Sequence, residues 1–89
     1  MNSRITEKFL KSYRRLPVDV RNQARKSYQL FKENPQHPSI QFKRIHATKP
    51  IYSARINIDY RTIGVLEGDT IMWFWIGSHA DYDQLISHL

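Results

Sequence analysis

At Ile40 the apolar residues change period, and no other feature constrains the fold of this chain as much. Upstream, Ile5, Phe9, Tyr13 and Leu16 recur at spacings of four, four and three, which is the stripe of an amphipathic helix. Ser3 stands where it can cap that helix, and Lys8, Lys11, Arg14 and Arg15 lie mostly off the stripe. Pro17 suits the first turn of a second helix, where its missing N–H costs nothing. Val20, Ala24, Ser27/Tyr28 and Phe31 carry the helical period on to Asn34-Pro35, where the residue before proline leaves helical geometry. Two helices with so short a link are expected to form an antiparallel hairpin.

From Ile40 the period is two. Gln41 to Ile45 reads as a strand and Ala47 to Pro50 as a loop. Ile51 to Ile58 reads as a second strand, with Tyr52, Ala54, Ile56 and Ile58 on one face and Ser53, Arg55 and Asn57 on the other. Asp59 marks a tight connection into Tyr60 to Leu66, and Glu67-Gly68-Asp69 is a hairpin turn in which Gly68 can take positive φ. Thr70 to Ile76 is apolar on both faces, the pattern of a strand covered on each side. Strict alternation puts Trp73 and Trp75 on one face, and core packing is the favoured reading of both. Asp81 to Leu89 closes the chain as a short helix. The expected fold is α+β: a helical hairpin on a curved, mainly antiparallel sheet of three or four strands, with a short C-terminal helix.

Composition narrows what such a domain can do. With 89 residues there is room for one modest core, so residues 1–89 are read as a single domain. The chain has no cysteine, which excludes disulfides, thiolate metal sites and a cysteine nucleophile. Its start lacks an apolar secretory segment, and the run Ile71 to Ile76 is about a third of a membrane span. A cytoplasmic protein is expected. Residues 1–49 hold 12 Lys/Arg against 3 Asp/Glu, whereas residues 50–89 hold 2 against 5. The basic half suits a polyanion or an acidic partner, and equally two solvated basic helices.

The two cations of the acidic half, Arg55 and Arg61, both fall within strands. On the open face of a sheet they would form an anion site, because a guanidinium matches phosphate oxygens bidentately. Pairing with Asp59 or Asp83 is the alternative, and the residues alone leave both open. After the most buried strand comes Gly77-Ser78-His79-Ala80-Asp81-Tyr82-Asp83. His79 is the natural acid or base near neutral pH, against a plain surface or capping role. Tyr82 can stack on a base or hold a substrate through its hydroxyl, against packing at a helix start. His37, His46 and His88 lack metal-ligand spacing, and neither a Gly-rich phosphate loop nor a nucleophile elbow is present. No metal and no cofactor are expected.

The string from Pro50 to Ile56, then Asp59 to Ile63, then Ile71 to Gly77 with His79, resembles the RelE/ParE toxins of type II toxin–antitoxin systems. Leu16-Pro17 with Val20-Arg21, and Asn34-Pro35, are similar to that family's helical hairpin. The resemblance implies a metal-independent endoribonuclease that cuts messenger RNA on the ribosome and is silenced by an antitoxin. Members that inhibit DNA gyrase share the fold, as would a relative that only binds an antitoxin. Under the ribonuclease reading a ribose 2′-hydroxyl attacks the adjacent phosphate. Arg61 and Arg55 would stabilise the charge, His79 would move a proton, and Tyr82 would orient the nucleotide. Ser53 and the neighbours of His79 add no cation, a departure from some members. Lys43 and Arg44 on the first strand would compensate, and with Lys49 they are the RNA-binding candidates.

Overall fold

The run that is apolar on both faces lies inside a five-stranded sheet, with a hydrogen-bonded neighbour on each side. The computed structural model describes all residues, Met1–Leu89. In chain order the elements are β1 (Asn2–Ile5), α1 (Glu7–Arg14), α2 (Val18–Glu33), β2 (Lys43–Arg44), β3 (Ile51–Arg55), β4 (Tyr60–Glu67), β5 (Thr70–Ser78) and α3 (His79–Ile86). The strand order is β1-β5-β4-β3-β2. Only the β1–β5 pair is parallel. The α+β class, the hairpin turn with Gly68 at φ 60° and the final helix agree with the sequence reading.

The N-terminus differs from expectation. Asn2–Ile5 is a strand, and the cap of α1 is Thr6, whose Oγ1 accepts a hydrogen bond from the Phe9 N–H at 3.1 Å. A buried apolar strand needs partners for its backbone groups on both edges, and β4 supplies only one. Residues 2–5 supply the other, so Ile5 leaves the helical stripe and stands 44% exposed. Ser3, expected to cap the helix, instead accepts from the Trp73 indole N–H at 2.9 Å. The first expected strand is also shorter. Ile40 is buried in the core and Gln41 sits at φ 49°, so pairing is confined to Lys43–Arg44.

One face of the sheet packs against α1 and α2 through Phe31, Ile40, Ala54, Ile71 and Trp73. The aromatic rings meet mostly edge to face: Phe31 lies 5.1 Å from Phe42 and 5.4 Å from Trp73. The helices do not close completely over this face. An apolar groove of about 320 Å³ remains, lined by Phe9, Tyr13, Tyr28, Ala54 and Ile76 among others. The other face carries α3, whose Tyr82 is buried over Ser53.

A bulge assigns side chains to these two faces. Ile63 pairs with Trp75 but Gly64 pairs with Trp73, so β5 advances two residues while β4 advances one. Trp73 consequently joins the α2 face, while Trp75 lies 6.4 Å from Tyr82 on the α3 face. The expectation that both tryptophans share a face is corrected: the extra residue inverts the alternation beyond it. Gly64 makes the bulge possible, since a Cβ there would stand 2.8 Å from Trp73 Cε3.

Candidate active site

One end of the sheet gathers the chemistry. In the β3–β4 ladder Arg55 stands directly opposite Arg61, which in turn stands opposite Gly77 of β5. Residues directly opposite across an antiparallel pair share a face. Ser53, Ile63 and Trp75 occupy the neighbouring positions of that face, so the register sets both arginines on the side of the sheet that carries α3, while Arg55, at the end of β3, also borders the groove on the α1–α2 side. The next position after β5 is His79. Its backbone N–H donates to the Asp59 carbonyl at 2.6 Å, which ties the start of α3 to the β3–β4 turn. Ser78 caps α3 by accepting from the Asp81 N–H at 3.1 Å.

Neither arginine is neutralised. The only ion pair in the chain joins His79 Nε2 to Asp83 Oδ2 at 3.4 Å, so the alternative pairing with Asp59 or Asp83 is not formed. Arg61 is half-buried and its Nη1 donates to the carbonyls of Asn57 at 2.6 Å and Tyr60 at 3.0 Å. These carbonyls orient the guanidinium and leave its formal charge in place. Like charges facing each other across neighbouring strands are destabilising, and an anion between them would remove that cost.

His79 is exposed, and its ring stacks on that of Tyr82 at 5.9 Å between centroids and 19° between planes. The Asp83 carboxylate lies beside Nε2, one helical turn along α3. Tyr82 is only 5% exposed, and its hydroxyl donates to Ser53 Oγ at 3.1 Å. A ring buried on this scale has no free face for a base. Its expected part in orienting a nucleotide gives way to a packing part: it seats α3 on the sheet and supports His79.

The remaining sequence candidates fall into two groups. Lys43 stands opposite Ser53 and so shares the face of Arg55 and Arg61. Arg44 takes the alternate position, opposite Tyr52, and its Nε donates to the carbonyls of His46 and Lys49 at 3.1 and 3.2 Å. Arg44 and Lys49 therefore lie toward the other end of the sheet and do not join the arginine pair. His46 organises that loop by accepting from the N–H groups of Thr48 and Lys49. No three His, Asp or Glu side chains gather as a metal-holding group.

Sequence reasoning passed over Asn57. Its Oδ1 accepts from the Asp59 N–H at 2.8 Å, its Nδ2 donates to Gln23 Oε1 on α2, and its carbonyl receives Arg61. The signal was available in Asn57-Ile58-Asp59, because asparagine side chains close turns onto their own backbone two residues on.

Comparison with known proteins bears on the fold and the family. No curated protein matches the sequence. Among solved structures, a chain of the RelB–RelE antitoxin–toxin complex from Methanococcus jannaschii superposes with TM-score 0.74 at 16% identity, over 92% of this chain and 96% of that one. A chain of the archaeal RelE–RelB complex from Pyrococcus horikoshii gives 0.69 at 17%, over 86% and 92%. The isolated E. coli RelE toxin gives 0.66 at 17%, over 99% and 98%. At such identities these likenesses establish the fold. The family follows from the sequence itself, since the model of the ParE-like toxin domain matches residues 18–84, from the first residue of α2 into α3. The chain belongs to the ParE-like toxin domain family.

Proposed function

We propose that this chain is the toxin of a type II toxin–antitoxin system and a metal-independent endoribonuclease that cuts messenger RNA on the ribosome. The observation that carries the reading is the unneutralised pair Arg55 and Arg61, opposite each other on adjacent strands and next to His79. Two guanidinium groups supply the charge that a phosphorane-like state needs when a 2′-hydroxyl attacks its neighbouring phosphate. His79 moves a proton, with Asp83 in contact with its Nε2 and able to orient the ring. Tyr82 acts through its packing, by supporting the His79 ring. Lys43, on the same face, extends the cationic path for the RNA backbone. Arg44 and Lys49 would meet RNA only outside the reaction centre.

An antitoxin is the natural partner, as in the RelB–RelE complexes whose fold this chain shares. The reading places the toxin in the cytoplasm, where ribosomes are; no helix is long and apolar enough to cross a membrane. The match to a family described as ParE-like supports a second reading, inhibition of DNA gyrase without catalytic groups.

One experiment separates the two. Wild type, Arg61→Ala and His79→Ala are expressed in cells while messenger RNA 5′ ends and plasmid supercoiling are followed together. New message ends that vanish in both variants are expected. Intact messages with relaxed or cleaved plasmid would transfer the assignment to gyrase.

A further inference from the structure

The connection between β3 and β4, residues 56–59, makes more polar contacts than a turn needs to reverse the chain. The Ile56 carbonyl accepts the Ser27 hydroxyl of α2 at 3.3 Å, and Asn57 Nδ2 donates to Gln23 Oε1 one turn earlier on that helix. Asn57 Oδ1 closes the turn on the Asp59 N–H at 2.8 Å. The backbone then reaches the site twice: the Asn57 carbonyl receives Arg61 Nη1, and the Asp59 carbonyl receives the His79 N–H, both at 2.6 Å. A single turn thus ties a helix on one face of the sheet to a guanidinium and a histidine that serve the other.

The donor inventory of Arg61 gives this a chemical meaning. A guanidinium has five N–H groups. The two on Nη1 are occupied by the Asn57 and Tyr60 carbonyls, leaving the Nε–Nη2 edge unbonded within the chain. That edge carries two parallel N–H bonds, the fork that grips two phosphate oxygens. A carboxylate in place of the carbonyls would orient the group equally well but cancel the charge the site needs.

We propose that Asn57 is a positioning residue. With Gln23 it fixes the turn whose carbonyls hold Arg61 by Nη1, so that the Nε–Nη2 edge is presented to the scissile phosphate. The proposal rests on the RNA-cleavage reading and deepens it.

The test uses Asn57→Ala, Asn57→Asp, Gln23→Ala, Arg61→Ala and the double variant Asn57→Ala/Arg61→Ala. Single-turnover cleavage of messenger RNA on programmed ribosomes is measured for each. Asn57→Ala is expected to slow cleavage about 10- to 100-fold, the scale of a small misplacement of a reacting group, while half-saturation in ribosomes stays put. Asn57→Asp keeps the acceptor for the Asp59 N–H but loses the Nδ2 donation to Gln23, and is expected to recover only part of the rate. Gln23→Ala loosens the turn from an exposed helix position without touching its backbone, and should shift the rate in the same direction. The double variant should be no slower than Arg61→Ala alone. Independently of activity, NMR of the arginine side chains should show Arg61 Nη1 rotation restricted in wild type and released in Asn57→Ala. Losses that multiply in the double variant, or an Arg61 equally ordered without the Asn57 side chain, overturn the proposal. If wild type cleaves no RNA, the RNA-cleavage reading fails by itself, and the NMR result still decides whether Asn57 holds Arg61.

Discussion

The contact between Tyr82 and Ser53 is the place to test how α3 is held. Both side chains are almost completely buried, at 5% and 2% exposure, and their hydroxyls meet at 3.1 Å. Removing one hydroxyl leaves the other buried without this partner, which costs about 1–3 kcal/mol. Removing both takes away the unsatisfied group as well, so the double change should cost much less than the two single changes together. Tyr82→Phe and Ser53→Ala are each expected to lower stability by about 2 kcal/mol. In a domain of this size each kcal/mol corresponds to about 4–8 °C in Tm. The double variant should return to within about 1 kcal/mol of wild type, a coupling measurable by urea denaturation of all four proteins. Costs that simply add would refute the reasoning, since each hydroxyl would then be interacting with something other than its partner. The same variant separates two roles for Tyr82. Tyr82→Phe keeps the ring under His79, so cleavage below the unfolding range should persist. A loss of cleavage without loss of stability would mean that the hydroxyl acts on the substrate.

Three further outcomes follow from the packing and the charge pattern. Gly64→Ala sets a Cβ 2.8 Å from Trp73 and 3.0 Å from Ile71, both buried, and should cost about 1–3 kcal/mol in chemical denaturation; an unchanged midpoint would show that the bulge is not close-packed. Trp73→Phe removes the indole donor that holds Ser3, so amide exchange should quicken in Asn2–Ile5 while β3 and β4 stay protected; uniform acceleration would mean β1 is held by pairing alone. Lys43→Ala should reduce the slope of log affinity against log salt for single-stranded RNA by about 0.7, and an unchanged slope would take Lys43 off the RNA path.

Much of the fold was legible because it depends on periodicity. The stripe of α2, the alternation of β3 and the two-sided apolar run of β5 each report a local environment that side chains must match. The N-terminal strand was not legible for the complementary reason. Nothing in Asn2–Ile5 alternates, and its pairing answers a need of β5, some 70 positions away in sequence: Asn2 pairs with Thr70 and Ile5 with Trp73. Ser3 and Ile5 match a helix start locally, and the local preference yields to the cost of leaving one edge of a buried strand unpaired.

The candidate site divides along the same line. Arg55, Arg61 and His79 could be found by asking which polar groups flank the most buried strand, because strands leave few places for a cation to go. The part of Tyr82 could not, since it depends on which face α3 covers, and that is set by the bulge. With unbroken alternation Trp75 would follow Trp73 onto the helical-hairpin face. The single extra residue in β5 turns Trp75 to the opposite side, where it meets Tyr82 and gives α3 an aromatic surface to sit on. Because α3 begins at His79, the bulge that separates the two tryptophans also determines where the imidazole stands relative to Arg61. Inserting one residue between Ile63 and Gly64, opposite Phe74, should therefore restore strict pairing, return both tryptophans to one face and dislodge α3. The Tyr82 and His79 ring shifts would report the change, and a lengthened protein with native α3 contacts would show that the bulge is not what orients the site.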